Sequence, residues 1–168
     1  MPILQSQLTY DRVLIVRSVL EFIRAEVRRV GKVETGGALV GYQDGPKSLV
    51  VTNASGPGPR SELSPSHVLI DGQYADAFCT RIFENSRGRL DYVGDWHRHV
   101  GWSLAASSRD LQAMLAIKES GCCSVDYPVS AIYRLRPEHM VLYVLQGRSL
   151  KRVRTRWLDT VPHGQSGP

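Results

Sequence analysis

Apolar residues change their spacing several times along this chain. Between 10 and 29 they recur at Val13, Val16, Leu20, Ile23 and Val27. Steps of three and four predict an amphipathic helix, with Thr9 as its expected N-cap and Gly31 as its stop. Two apolar runs follow, 38–42 and 49–52, expected as strands on either side of Asp44, Gly45 and Pro46. The helical period returns over 72–85 through Tyr74, Phe78 and Ile82, and over 108–120 through Leu111, Met114, Leu115 and Ile117, with Gly88 and Gly121 beyond the two ends. Segments 90–96, 129–135 and 140–145 read as strands, the last two separated by R-P-E-H. Segment 150–157 alternates and sets Val153 between arginines, which suits an edge strand. Helices interspersed among strands predict an α/β fold, a sheet with helices packed on its faces.

The chain has 168 residues, 42% hydrophobic and 22% charged, the proportions of one globular domain. That domain is expected over 1–158, with 159–168 as a disordered tail. A chain of this size buries about 70% of its unfolded surface, so folding needs neither disulfide nor metal. No apolar run approaches the ~20 residues of a membrane span, and the start lacks the basic and apolar regions of a signal peptide. Cys79, Cys122 and Cys123 cannot pair evenly, and they are expected as reduced thiols of a cytoplasmic protein. The net charge of +5 comes largely from arginines in the first expected helix and near 151–156. Neither cluster is interleaved with aromatics, so solvated faces are expected and a nucleic-acid partner is not. The stretch 53–66, N-A-S-G-P-G-P-R-S-E-L-S-P-S, has no periodicity and is long for a loop, a length often tied to function.

The segment G-D-W-H-R-H-V-G-W-S-L-A-A-S-S-R-D carries the chemistry. His97 and His99 are two apart at the end of an expected strand, so their imidazoles leave on the same face. Two such rings are half of a tetrahedral zinc site. Asp110 follows in the first turn of the third expected helix, where a returning loop can aim its carboxylate at the histidines. Two His and one Asp leave a position for water, the pattern of a catalytic metal, and such water reaches a pKa near 7. Asp110 is also the third residue of a capping box begun by Ser107, and the two roles are compatible. Taken alone, the histidines are also ordinary sheet-end residues. Glu34, in V-E-T-G-G-A-L-V-G-Y, precedes an apolar strand.

An upstream Glu, then H-x-H, seven residues, and S-x-x-D is the pattern of the JAB/MPN (JAMM-motif) metalloproteases. The chain resembles that family from about Thr9 to Leu145, and within it the bacterial deubiquitinase-like peptidases. The resemblance implies a cytidine-deaminase-like α/β domain, a curved mixed β-sheet flanked by helices. It implies one catalytic Zn2+ held by His97, His99 and Asp110. Glu34 matches the general acid/base and Ser107 the oxyanion donor. Val100 stands where the family usually has proline, which removes no ligand. True zinc deaminases use H-x-E with P-C-x-x-C, and neither is present.

The implied reaction is peptide or isopeptide hydrolysis after the C-terminus of a ubiquitin-like protein, by deconjugation or precursor processing. The implied partners are that protein, its conjugates, and E1- and E2-like (ubiquitin-activating and ubiquitin-conjugating) proteins of the same operon, as in bacterial antiviral islands. Trp102 reads either as a substrate contact or as a loop anchor packed on the domain. Two other classes stay open: a catalytically silent scaffold and a basic nucleic-acid-binding module. Zinc content and salt dependence separate them.

Overall fold

A computed structural model describes residues 9–162. Along the chain lie β1 (Arg12–Val16), α1 (Arg17–Val30), β2 (Gly36–Gln43), β3 (Ser48–Ala54), β4 (Glu62–Leu63), β5 (Val68–Leu69) and α2 (Gly72–Asn85). β6 (Asp91–Arg98), α3 (Ser108–Ser120), β7 (Val129–Leu135), β8 (Glu138–Gln146) and β9 (Ser149–Leu158) complete it. β4 and β5 pair as a separate two-stranded hairpin, β4 within the stretch expected as an irregular loop and β5 just after it. The expected tail lies outside the described residues from 163 onward, as do residues 1–8.

The α/β arrangement expected above, a curved JAB/MPN-type sheet flanked by helices, is not what the chain forms. Seven strands close into a mixed β-barrel in the order β1-β3-β2-β6-β7-β8-β9, accompanied by three short helices. The cause lies in residues 12–16, R-V-L-I-V. Their three β-branched residues, Val13, Ile15 and Val16, favour an extended backbone over the first turn of a helix. The segment forms β1, and the helix begins at Arg17 behind an N-cap, Val16, that offers no side-chain hydrogen bond. Thr9 is therefore not the cap. β1 runs parallel to both β3 and β9, so β9 has neighbours on both sides and is not an edge. Gly31 does end the helix, with φ +77°.

The core has the period of two that a barrel requires. Val13 and Ile15 of β1, Leu49 and Val51 of β3, Val129, Ala131 and Tyr133 of β7, and Leu142 and Val144 of β8 all join one buried cluster. Val19, Ile23 and Val27, one stripe of α1, enter the same cluster. Each Val, Leu or Ile among them contributes about 1.5–3 kcal/mol by leaving water. By contrast α2 buries none of its side chains fully and α3 only Met114.

One irregularity positions the site. β2 and β6 pair antiparallel, but Leu39 faces Gly94 whereas Val40 faces Tyr92, leaving Val93 as an extra residue. Such a bulge reverses which face later residues occupy. Hence Val93 and Trp96, three apart, both enter the core, while His97 and His99 leave on the other face. Glycine is required at the bulge. Gly94 has φ +149°, and a Cβ there would meet the Val129 carbonyl oxygen at 1.9 Å.

Candidate metal centre

β6 delivers the histidines at its end. Trp96 anchors the strand from inside, fully buried, its Nε1 donating to the Ser55 carbonyl at 2.9 Å. His97 and His99 are half-buried on the opposite face, their Nε2 atoms 3.0 Å apart. The Nδ1 of His99 is 2.9 Å from the Ser103 carbonyl oxygen. A carbonyl only accepts, so Nδ1 carries the proton and Nε2 keeps its lone pair for a ligand.

α3 supplies the carboxylate. Its start shows the capping box expected from S-x-x-D: Ser107 Oγ accepts from the Asp110 amide at 3.2 Å, and Asp110 Oδ2 accepts from the Ser107 amide at 2.6 Å. Both local bonds are internal to residues 107–110, which is why they were legible. The box turns Asp110 toward the histidines, with Oδ1 3.2 Å from His97 Nε2 and Oδ2 3.9 Å from His99 Nε2. Burial disfavours the Asp110 carboxylate, but the His97 contact and the Ser107 amide outweigh it and hold its pKa below the usual range.

These residues fit a metal ion. Donor atoms about 2.0–2.1 Å from a tetrahedral ion lie about 3.3–3.4 Å from one another. The separations of 3.0, 3.2 and 3.9 Å bracket that edge. The His97 and His99 Nε2 atoms and the Asp110 carboxylate thus converge at the spacing that one shared cation requires. His97, His99 and Asp110 are the one group of three metal-ligating side chains that converges in this way among the described residues.

Glu34 arrives from the neighbouring strand. Gly36 faces His97 in the β2–β6 ladder, and beyond the strands Arg98 N still donates to Thr35 O at 2.8 Å. Continuing the antiparallel register one step sets Glu34 opposite His99. The Glu34 amide donates to the Ser64 carbonyl at 2.7 Å, so the β4–β5 hairpin pins the residue from its other side. Burial raises the Glu34 pKa, and the two histidines temper the rise. A cleft of about 570 Å³ is lined by Glu34, His97, His99, Ser107 and Asp110 together.

Trp102 does not line that cleft. It is 79% exposed, with the Arg134 guanidinium 5.9 Å from its ring centroid. Its loop is tied down by two hydrogen bonds: Arg134 donates to the Trp102 carbonyl, and Tyr143 Oη to the Leu104 carbonyl at 2.8 Å. Three titratable cleft residues had no assignment from sequence: Asp95, His67 and Arg109. Asp95 was within reach, because it precedes His97 by two and shares its face. Burial pushes its carboxyl up to about 6, eased by the Tyr92 hydroxyl, which donates to Oδ1 at 2.9 Å. His67 lies on the β4–β5 hairpin, whose approach no local pattern reveals. The cysteines are unpaired, and burial raises Cys79 to about 12 and Cys123 to about 11. Among the described residues no helix is long and apolar enough to cross a membrane.

No family model matches the chain. It is 26% identical over 140 residues to a probable metalloprotease, y4qB, of Sinorhizobium fredii, covering 82% of this chain and 85% of that one. It is 32% identical over 66 residues to a CD-NTase/cGAS isopeptidase of Escherichia coli, covering 39% of this chain and only 42% of the relative. Its fold is similar to the solution structure of protein DSY2949 from Desulfitobacterium hafniense, with a TM-score of 0.68 at 14% identity, over 90% of this chain and 97% of that one. The two relatives are thus named as a metalloprotease and an isopeptidase, and this chain holds a His/His/Asp group able to bind a metal ion.

Proposed function

We propose that this chain is a zinc-dependent peptidase or isopeptidase that hydrolyses the bond after the C-terminus of a ubiquitin-like protein. The observation that carries the reading is the convergence of His97, His99 and Asp110 with Glu34 and Ser107 around one cleft. Two imidazoles and one carboxylate suit zinc among the common divalent ions. When bound, zinc supplies a Lewis acid that polarises the scissile carbonyl and acidifies water.

The remaining work falls to the chain itself. Ser103 and Ser107 hold His99 and Asp110 in ligating orientation through their backbone. Glu34 accepts a proton from the attacking water and carries it to the leaving amine. Its raised pKa suits a group that must hold a proton between two steps. The Ser107 Oγ accepts from the Asp110 amide, which leaves its own hydrogen free to donate to a developing oxyanion.

An extended tail suits the entrance, where the β4–β5 hairpin stands beside the cleft with Leu69 58% exposed. Main-chain pairing to such a hairpin holds a peptide without demanding a particular sequence. The partners that follow are a ubiquitin-like protein with its conjugates, and the E1- and E2-like proteins that would attach it. The isopeptidase name of one relative supports this choice of substrate class.

The test incubates the full chain with the ubiquitin-like product of its own operon carrying a C-terminal extension, and mass spectrometry reads the cut. One cut after the terminal residue is expected, abolished by chelator and by Glu34→Gln. Glu34→Gln should keep about one equivalent of zinc, whereas His97→Ala and Asp110→Ala should lose it. Cleavage that survives chelation, or full zinc content in both ligand variants, refutes the reading.

A further inference from the structure

Arg98 sits between the two histidines in sequence and points the other way. It is nine-tenths buried, at 9% exposure, and among the described residues no carboxylate forms an ion pair with it. Its Nε, also buried, has no hydrogen-bond partner. A buried guanidinium without a counter-ion is costly and calls for a compensating role. Its Nη1 shows where that role lies. It donates to the Gly31 carbonyl at the end of α1 and to the Val33 carbonyl at 3.2 Å. Both acceptors belong to the short segment that runs into Glu34. The positive head also lies against the carbonyl end of α1, where a helix favours a cation.

The contacts close a small frame. Arg98 N donates to Thr35 O on one side of Glu34, and Arg98 Nη1 holds Gly31 and Val33 on the other. The Glu34 amide is bound to Ser64 O. Glu34 itself is therefore fixed through its neighbours, by the residue that lies between the two histidine ligands. Any shift of β6 carries the histidines and the Glu34 segment together.

We propose that Arg98 is a positioning residue that keeps the Glu34 carboxylate in register with His97 and His99 by tying residues 31–33 to the strand bearing both histidines. The proposal rests on the hydrolase reading only for its kinetic consequence. The physical link is measurable without substrate. A helix cap alone would predict lost stability and nothing specific to Glu34.

The experiment compares Arg98→Met and Arg98→Lys with wild type in the full, zinc-loaded chain. Hydrogen exchange reads the Glu34 amide. It should exchange at least about tenfold faster in Arg98→Met, as expected when a buried hydrogen bond to a charged group is lost. Zinc affinity should stay within about threefold, because the Arg98 side chain is neither a ligand nor hydrogen-bonded to one. The kcat should fall about 10²-fold with KM little altered, the cost of misplacing a catalytic group by about an ångström. Arg98→Lys, which keeps a cationic donor, should recover most of both losses.

Unchanged exchange at Glu34 in Arg98→Met overturns the proposal by itself, even if no hydrolysis is ever found. If wild type cleaves nothing while Glu34 exchange still depends on Arg98, the hydrolase reading fails and the tether stands. Should Arg98→Met not fold, the exchange and kcat of Arg98→Lys decide: full loss of activity with wild-type protection at Glu34 refutes the link.

Discussion

Ser107 carries two assignments that a pair of substitutions can separate. As N-cap of α3 its Oγ accepts from the Asp110 amide at 3.2 Å; as oxyanion donor the same hydroxyl would give its hydrogen to substrate. Ser107→Ala and Ser107→Gly both delete Oγ. Both leave the 2.6 Å bond from the Ser107 amide to Asp110 Oδ2, so the carboxylate should stay in place. Their costs in stability differ. A cap changed to Ala loses about 1 kcal/mol, to Gly only a few tenths. In a domain of this length that means a Tm lower by about 2–4 °C for Ala and by about 1 °C for Gly. A loss of about 1 kcal/mol from a total of about 5–15 leaves nearly every molecule folded at 25 °C, so stability cannot account for a large drop in rate. Loss of an oxyanion donor lowers kcat about 10²–10³-fold. Ser107 is exposed, so the lower end applies. Thermal melts by circular dichroism, zinc content and initial rates at saturating substrate would be measured on all three proteins. Equal and large losses of kcat in both variants, with unequal melting points, support the donor role. Rates within about threefold of wild type in both, or a rate that simply follows Tm, would leave Ser107 as a cap and remove the oxyanion assignment.

Three further outcomes follow from the geometry. Asp95 has its pKa pushed to about 6 by burial, above the about 3.9 of an unfolded chain. The folded state therefore binds the extra proton, and stability falls as pH rises from about 4 to about 6. Asp95→Asn abolishes that fall and should gain about 1–3 kcal/mol over wild type at pH 7 but little at pH 4, by urea unfolding in chelator; an equal gap at both pH values contradicts it. Gly94→Ala forces a Cβ to 1.9 Å from the Val129 oxygen at φ +149°. It should cost about 3 kcal/mol or more and impair zinc binding, and a melting point near that of wild type would show that the bulge tolerates a side chain. Zinc at a free concentration of about 100 times its Kd should stabilise the chain by about 2.7 kcal/mol, with chelation lowering Tm yet leaving the barrel folded; melting by chelator at 25 °C would make the site structural.

Short-range patterns were legible and long-range ones were not. α2 and α3 start and stop where their apolar spacing and glycines placed them, because caps and helical periods are written within a few residues. The first helix was misjudged because Val13 serves two patterns: with Val16 it makes a helical step of three, and with Ile15 the step of two of a buried strand. Apolar spacing alone cannot tell a buried strand from the start of a helix, and the partners that make 12–16 a strand, β3 and β9, lie far along the chain. That single misreading concealed the barrel. Without β1 the last strand has a free edge, and an open sheet flanked by helices is the natural inference.

The candidate site divides in the same way. Residue types and local steps put two imidazoles on one face and a carboxylate in a capped first turn, since alternation and the capping box need only neighbouring backbone. Which face the histidines occupy was decided by the bulge at Val93, and the approach of Glu34 by the β2–β6 register, the Ser64 carbonyl and Arg98. Those are pairings between distant segments, chosen by how the closed barrel packs.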